Sequence, residues 1–346
     1  MWGYTRCMKY LWIAIIILAL VGGGFYYVTN KTSTKEQASV SLFPSNKIEP
    51  VITPTPIPTQ TPIITPTLSQ NQNPSPTTSF DITKVYKTSS KTNLVYANDG
   101  EAMHTFDLYT PLDGKTTRPF IVFMHGGGFI TGDKKETKVW SQAMATHGFA
   151  VATINYRLAT AGAIWPEPLC DVRMATKYLV DHAQTLGLDG TQFAIAGVSA
   201  GGILTAQATL SANDKNLCGF TAPIPRGGVV ASGSFMQQDI SLFKKGQLTM
   251  LSTMLACTSV TSVDCAKKLA VFLPETYADN NDPPLLLLHG EQDTTVPTQH
   301  ARDFYPFLQG KGIDVTLKLA PELAHAGLFD RFNTETVQFF AEVLYR

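Results

Sequence analysis

A serine flanked by glycines, Ser199, is the residue of this chain best placed to act as a nucleophile. The residues from 197 to 202 read GVSAGG, between an apolar segment at 192–196 and a helix-like segment at 203–210. In a G-x-S-x-G turn between a strand and a helix, the serine oxygen projects into a cleft, and a side chain at either flanking glycine would collide with nearby backbone. The pattern therefore predicts that Ser199 is a catalytic nucleophile.

A second glycine-rich motif, HGGGF at 125–129, directly follows the strand-like run FIVFM at 120–124. Acyl transfer builds negative charge on a carbonyl oxygen, and each preorganised backbone N–H aimed at that oxygen stabilises it by about 3 to 4 kcal/mol. Glycines allow the backbone to come that close. We therefore predict an oxyanion hole formed by the N–H groups of Gly126, Gly127, Gly128 and Ala200.

A nucleophilic serine needs a base within hydrogen-bond reach and a carboxylate that orients this base, because a serine hydroxyl is barely ionised at neutral pH. Asp293 lies in the loop 291–297, directly after an apolar strand-like run. His325 lies in the loop 320–327, after a strand-like run of alternating polarity. Because open α/β sheets hold their sites at the carboxyl ends of strands, we predict His325 as the general base and Asp293 as its acid.

Other histidines and acids are weaker candidates for these two roles. Four histidines stand at strand or helix ends or within helix-like sequence, where a structural role is the better interpretation: His125, His147, His182 and His289. Three nearby acids compete with Asp293, namely Asp282, Glu291 and Asp303. Asp293 is favoured over them because it stands in the loop that follows the strand.

Short apolar runs alternate with helix-like stretches through most of the chain. The predicted strands are 120–124, 149–154, 193–196, 229–231, 285–288 and 315–319, and the predicted helices are 139–147, 171–184, 203–210, 299–309 and 334–344. Nearly continuous apolar strands between helices indicate a parallel sheet that helices cover on both faces. Two runs of alternating polarity, 93–96 and 104–109, predict an antiparallel hairpin at the edge of this sheet.

These motifs resemble those of α/β-hydrolases of the carboxylesterase type, and they are similar to the hormone-sensitive-lipase-like and BD-FAE-like groups. The matching motifs are HGGGF at 125–129, NYRLA at 155–159, PLCD at 168–171, GVSAGG at 197–202, PPLLLLHGEQDTTVP at 283–297 and His325. The resemblance implies an α/β-hydrolase fold with a mostly parallel eight-stranded sheet flanked by helices. It also implies a triad of Ser199, Asp293 and His325, with no metal and no organic cofactor. The order nucleophile, acid, base along the chain is the order that α/β-hydrolases use.

The chain departs from these groups in its lid and around its base. Only the stretch 241–273 is available to fold as a small lid, so we expect no large lipase-like lid over the cleft. The base stands in AHAGLF at 324–329 rather than in a compact His-Gly-Phe. We expect Phe329 to pack near His325.

The N-terminal part of the chain has a different composition. Residues 11–28 form an uncharged run of eighteen that is edged by aromatic residues and preceded by basic ones. Such a run just spans a bilayer, so we predict a short cytoplasmic tail at 1–9 and a transmembrane signal anchor at 10–28. A cleaved signal peptide is the alternative, and either segment would export the rest of the chain.

A disordered Pro/Thr-rich linker is predicted for 29–80, ahead of a catalytic domain at 81–346. Nine prolines between Pro44 and Pro76 favour an extended polyproline II conformation in the linker. The catalytic domain contains four cysteines, Cys170, Cys218, Cys257 and Cys265. Two disulfides are possible in an exported domain, with Cys257–Cys265 the first pairing to test and buried free thiols the alternative.

The charges of the chain balance, with 27 Lys and Arg against 27 Asp and Glu, which argues against nucleic acid as a partner. We therefore predict a membrane-anchored, outward-facing serine esterase that acts on a small-molecule or polysaccharide-linked ester. A peptidase of the same fold and a non-catalytic cell-surface binding protein are the alternatives, and the oligomeric state stays open. Because the base must be neutral, we predict activity that rises through roughly pH 6 to 7.

Overall fold

Eight strands form one sheet in the computed structural model, which describes residues 80–235, 245–259 and 261–345. The strands are β1 (Thr88–Val95), β2 (Thr105–Pro111), β3 (Phe120–Met124), β4 (Ala150–Ile154), β5 (Phe193–Val198), β6 (Gly228–Ala231), β7 (Leu285–Gly290) and β8 (Val315–Ala320). Their order across the sheet is β1-β2-β4-β3-β5-β6-β7-β8. β1 and β2 form the predicted antiparallel edge, and β2 also runs antiparallel to β4. The neighbours from β4 to β8 are all parallel, so the predicted mostly parallel eight-stranded sheet is confirmed.

The helices cover both faces of this sheet. They are α1 (Lys138–Thr146), α2 (Glu167–Asp181), α3 (Ala183–Leu186), α4 (Ala200–Leu210), α5 (Lys245–Met254), α6 (Val263–Phe272), α7 (Gln299–Gly310), α8 (Leu328–Arg331) and α9 (Asn333–Leu344), with 3-10 turns at Lys134–Thr137, Ala159–Ala161 and Pro274–Thr276. Successive side chains of a strand point to opposite faces. In β3, Val122 packs in a cluster with residues of α2 and α4, whereas Phe123 packs in a cluster with residues of α1 and α9. Burial on both faces explains why the central strands are apolar at almost every position.

Most predicted boundaries agree with the structure to within two residues, and the exceptions have physical causes. β1 begins at Thr88, earlier than the predicted 93. The prediction missed its first residues because this edge strand is mostly exposed and polar and therefore lacks an apolar run. α2 begins at Glu167 rather than at 171, since its first turn tolerates Pro168. It ends at Asp181 rather than at 184, and the separate α3 follows it. α4 begins at Ala200 rather than at 203. The prediction started late because Gly201 and Gly202 have a low helix propensity, although they do not prevent the helix.

A pair of helices, α5 and α6, forms the described part of the predicted lid region 241–273, of which 241–244 and 260 lie outside the described residues. Leu251 and Met254 of α5 and Leu269 of α6 are buried in the same hydrophobic cluster as α2 and α4. This helical pair is therefore packed onto the domain.

Two disulfides join the four cysteines of the catalytic domain. Cys257 pairs with Cys265, the pairing expected first, and this bond closes the connection between α5 and α6. Cys170 on α2 pairs with Cys218.

The predicted cytoplasmic tail at 1–9, the membrane anchor at 10–28 and the linker as far as residue 79 lie outside the described residues. In the part of the chain that the structure describes, no helix has both the length and the hydropathy required to cross a membrane.

Candidate active site

Ser199 occupies the sharp turn between β5 and α4. Its backbone has φ 56° and ψ −119°, a region that non-glycine residues rarely adopt, and strain of this kind costs about 1 to 3 kcal/mol. Its N–H donates to the Ala231 carbonyl of the neighbouring strand β6 at 2.8 Å, which helps to hold the turn. A Cβ at Gly197 would overlap the Gly201 carbonyl, and a Cβ at Gly201 would overlap the Met124 carbonyl. Both flanking glycines are therefore required by close backbone packing.

Ser199, His325 and Asp293 are brought together by three loops at the carboxyl ends of β5, β8 and β7. The Ser199 Oγ lies 3.0 Å from Nε2 of His325, and Nδ1 of His325 lies 2.7 Å from Oδ2 of Asp293. Because a carboxylate only accepts hydrogen bonds, Nδ1 carries the proton of the neutral ring and Nε2 accepts from the serine hydroxyl. This is the arrangement that a general base requires.

The Asp293 carboxylate is fully buried and has four hydrogen-bond donors around it. Its Oδ1 accepts from the N–H groups of Thr295 and Val296 at 2.8 and 2.9 Å. Its Oδ2 lies near two imidazoles, Nδ1 of His325 at 2.7 Å and Nε2 of His289 at 3.3 Å. Burial alone would raise the pKa of Asp293, but the hydrogen bonds from His289, His325 and Val296 outweigh burial and hold this pKa well below its usual range.

The loops that carry Asp293 and His325 are packed against each other. The Gln292 N–H donates to the Leu323 carbonyl at 2.9 Å, and a Cβ at Gly290 would overlap the carbonyls of Leu323 and Ala324. The Ser232 hydroxyl donates to the His325 carbonyl at 3.2 Å. The position of the His325 backbone is thus fixed by neighbours at the carboxyl ends of β6 and β7.

The glycine loop after β3 borders the nucleophile. A Cβ at Gly126 would lie 3.3 Å from the Ser199 Cβ, so these two backbones are in close contact. Gly127 and Gly128 have φ values of 107° and 61°, which favour glycine. All three glycines and Ala200 line the cavity that contains Ser199 and His325. The structure therefore places the four predicted oxyanion-hole residues beside the predicted nucleophile.

Tyr156 and His125 support this glycine loop, and sequence reasoning gave Tyr156 no role. The Tyr156 hydroxyl donates to the His125 carbonyl at 2.9 Å, and the two rings stack with centroids 4.3 Å apart. Nδ1 of His125 lies 2.7 Å from the Gly126 carbonyl, and burial lowers the pKa of His125, which favours a neutral ring. His125 thus has the structural role expected of it. Its partner Tyr156 stands in the motif NYRLA, and this motif was the sequence feature that could have indicated the contact.

The motifs NYRLA and PLCD meet in an ion pair. The Arg157 guanidinium binds both carboxylate oxygens of Asp171, with Nη2 at 2.7 Å from Oδ1, and Nη1 lies 2.7 Å from Oε1 of Glu167. Nε2 of His104 lies 3.1 Å from the same Asp171 carboxylate. These bonds attach the start of α2 to the segment that follows β4, so the two motifs contribute to the framework around the site.

The competing acids lie outside the hydrogen-bonded chain of Ser199, His325 and Asp293. Glu291 pairs with Arg302, Asp282 accepts from the Asp279 N–H at 2.7 Å, and Asp303 accepts from Gln299 within α7. His182 bonds to the Tyr178 carbonyl within α2 at 2.9 Å. Of the rival histidines, His289 alone contacts Asp293.

A cavity of about 560 Å³ opens over Ser199. Its apolar walls include Ile130, Val198, Ile203 and Met250. Within the described residues, no cluster of histidines, cysteines or acids has an arrangement that could hold a metal ion. The site thus combines the hydrogen-bonded side chains of Ser199, His325 and Asp293 with an apolar cavity of a size suited to a small ligand.

Comparisons with known proteins identify the family of the chain. The BD-FAE family matches residues 106–308, more than half of the chain. LipM, a probable carboxylic ester hydrolase of Mycobacterium tuberculosis, is 29% identical over 224 residues, which cover 61% of this chain and 50% of LipM. Esterase LipC of the same organism is 28% identical over 200 residues, covering 54% of this chain and 47% of LipC. The chain thus spans about half the length of these curated relatives.

Solved structures share the fold. A truncated carbohydrate esterase from gut microbiota superposes with a TM-score of 0.69 at 23% identity, covering 76% of this chain and 98% of the other. Esterase B from Lactobacillus rhamnosis superposes with a TM-score of 0.65 at 17% identity, covering 74% of this chain and 86% of the other. With this fold and the match over 106–308, the chain belongs to the BD-FAE family of the α/β-hydrolase carboxylesterases.

Proposed function

We propose that this protein is a carboxylic ester hydrolase that works through an acyl-enzyme on Ser199. The observation that carries the proposal is the continuous hydrogen-bonded chain from the Ser199 hydroxyl through His325 to the Asp293 carboxylate, with distances of 3.0 and 2.7 Å. Ser199 and His325 face a cavity that the glycine loop borders. Membership of the BD-FAE family and the relatives named as esterases support an ester as substrate.

The reaction proceeds in two halves. His325 Nε2 takes the proton of the Ser199 hydroxyl while Oγ bonds to the ester carbonyl carbon, and the oxyanion receives hydrogen bonds from the N–H groups of the glycine loop and Ala200. The carbon–oxygen bond to the alcohol then breaks, and Nε2 returns the proton to the departing alkoxide. In the second half, Nε2 takes a proton from a water molecule while the water oxygen bonds to the acyl carbon. The bond from this carbon to Ser199 Oγ then breaks, Nε2 returns the proton to Oγ, and the acid is released. The buried Asp293 carboxylate stabilises the imidazolium of both halves.

The substrate that we propose is a small or carbohydrate-linked carboxylic ester. A cavity of about 560 Å³ with largely apolar walls suits a compact acyl or aryl group. The name of the structural relative from gut microbiota, a carbohydrate esterase, supports a sugar as the alcohol component.

We propose further that the catalytic domain faces the cell exterior on an N-terminal membrane anchor. The uncharged run at 11–28 supports an anchor, and the disulfides Cys170–Cys218 and Cys257–Cys265 support an oxidising environment. Protease added to intact cells would remove the catalytic domain from the cell surface, whereas an internal domain would stay protected.

The test of the catalytic proposal is labelling of the full-length chain with a fluorophosphonate, beside turnover of p-nitrophenyl acetate and butyrate. We expect labelling and turnover in the wild type and loss of both in Ser199→Ala. Ser234→Ala is the matched control, because Ser234 lines the same cavity; it should retain labelling. Peptide amides assayed in parallel separate an esterase from a peptidase. A folded wild-type chain that neither labels nor hydrolyses esters would overturn the proposal in favour of a binding protein.

A further inference from the structure

A second cleft of about 260 Å³ adjoins the cavity over Ser199. Five residues line both spaces: Glu136, Thr137, Val198, His325 and Ala326. The second cleft continues along Val139, Trp140 and Phe329, whereas the glycine loop, Ala200 and Met250 line the first cavity alone. His325 therefore stands at the junction of two spaces with different walls.

The chemistry of ester cleavage distinguishes these two spaces. The carbonyl carbon must lie at Ser199 Oγ and the carbonyl oxygen at the glycine loop, while Nε2 of His325 must reach the oxygen of the departing alcohol to protonate it. The alcohol group thus leaves on the His325 side of the carbonyl carbon. The acyl group lies on the opposite side, within the cavity that the glycine loop and Met250 share.

Met250 forms a wall of that cavity beside the glycine loop. A Cβ at Gly128 would lie 3.1 Å from the Met250 sulfur, so the thioether packs directly on the Gly128 backbone. α5 holds Met250 there, because Leu251 and Met254 are buried in the core and the Trp165 N–H donates to the Met254 carbonyl at 2.8 Å. An acyl chain that extends past Gly128 must displace this side chain.

Resting on the proposed function, we infer that the ester divides at His325, with its acyl group in the first cavity against Met250 and its alcohol group in the second cleft beside Val139. Met250 is then the residue that sets acyl length. Val139, which is 75% exposed at the second cleft, borders the alcohol group. Neither residue takes part in proton transfer, so both act on specificity.

Two substrate series separate these roles. In the first, the alcohol stays p-nitrophenol and the acyl group varies from acetate through butyrate to octanoate. In the second, the acyl group stays acetate and the alcohol varies from phenol to 2-naphthol. The proteins are the wild-type full chain, Met250→Ala, Met250→Phe and Val139→Trp. Val263→Ala is the control, because Val263 is an exposed residue of α6 that lines neither space.

We expect Met250→Ala to raise the octanoate-to-acetate ratio of kcat/KM by about tenfold or more, and Met250→Phe to lower the butyrate-to-acetate ratio. Both should leave the naphthyl-to-phenyl ratio within about twofold of the wild type. Val139→Trp should lower the naphthyl-to-phenyl ratio and leave the acyl ratios unchanged. Val263→Ala should change no ratio. Because each ratio is taken on one protein preparation, partial unfolding of a variant cancels.

Acyl ratios that do not move in either Met250 variant would overturn the inference, as would Met250 variants that move the alcohol series instead. Both results leave Ser199-dependent ester turnover intact, so they do not touch the proposed function. A wild-type chain with no Ser199-dependent turnover of any ester would overturn the proposed function, and this inference with it.

Discussion

Nε2 of His289 lies 3.3 Å from Oδ2 of Asp293, the same oxygen that accepts from His325. His289 ends the apolar part of β7 and Asp293 follows four residues later, so the strand itself supplies a second donor to the carboxylate. Nε2 of His289 also lies 2.9 Å from the Val296 carbonyl, and this contact joins the loop 291–297 to β7. The Asp293 carboxylate is thereby contacted by His289 of its own strand and by His325 of the neighbouring loop.

Asp293→Asn should lower kcat by about 10³ to 10⁴-fold, because an amide beside His325 favours the wrong ring tautomer. Ester turnover under saturating substrate is the measurement. Asp303→Asn provides the matched control, since Asp303 is a partly exposed acid of α7 that bonds to Gln299. An equal loss in both variants would contradict the role of Asp293.

The loss of activity at low pH should reflect the binding of a single proton. The pKa of Asp293 lies well below its usual range, so its carboxylate stays ionised through the range of about pH 6 to 7 in which we predict activity to rise. We expect log(kcat/KM) to fall with a slope near one below about pH 6. A slope of two would mean that a second group, such as the acid, protonates in the same range.

The free energy of unfolding should depend on pH through the Asp293 carboxylate. Its pKa is lower in the folded chain than the usual unfolded value of about 3.9, so its stabilisation is complete above that value and is lost as the pH falls through the folded pKa. The free energy of unfolding of the wild type minus that of Asp293→Asn should shrink as the pH falls below about 4. Urea titrations across this range measure it. A difference that is the same at pH 3 and pH 7 would contradict the lowered pKa.

Gly201→Ala should destabilise the fold by about 3 kcal/mol or more, because the new methyl group meets the backbone carbonyls of Met124 and His125. The melting temperature should fall by roughly 6 °C or more. Gly310→Ala is the comparison, since Gly310 ends α7 with open space around it and should be neutral or stabilising. Equal melting temperatures for both variants would show that the turn tolerates a side chain.

Tyr156→Phe should slow catalysis and leave substrate binding nearly unchanged, because it removes the hydrogen bond that fixes the carbonyl before the glycine loop. The loss of one buried hydrogen bond costs about 1 to 3 kcal/mol in stability. Tyr96→Phe removes a similar bond, from the Tyr96 hydroxyl to the Asn155 carbonyl at 2.8 Å, away from the serine. We expect both variants to lose stability and Tyr156→Phe alone to lose kcat. Equal kcat in the two variants would remove the supporting role of Tyr156.

The parallel strands were predictable because each is buried on both faces and therefore reads as an apolar run. The first half of β1 was not, since an edge strand facing solvent has no such run. The juxtaposition of Ser199, Asp293 and His325 could be predicted because each follows a strand, and parallel strands end at one edge of a sheet.

The contacts that fix these residues could not be predicted in the same way. His289 looks like any strand-end histidine until β7 and its loop are folded, and Tyr156 looks like a core aromatic until the glycine loop comes over it. Met250 lies in a helix with no distinguishing motif, and its contact with Gly128 spans more than a hundred residues of sequence. Such pairs depend on tertiary packing, which spacing along the chain does not encode.

The helical pair α5 and α6 departs from the sheet after β6 and returns before β7, two strands that hydrogen-bond to each other. Its own disulfide, Cys257–Cys265, joins the connection after α5 to the first turn of α6. Because this insertion begins and ends at neighbouring strands, replacing the helical pair would change the wall that Met250 forms and leave in place the strands that position Ser199, Asp293 and His325.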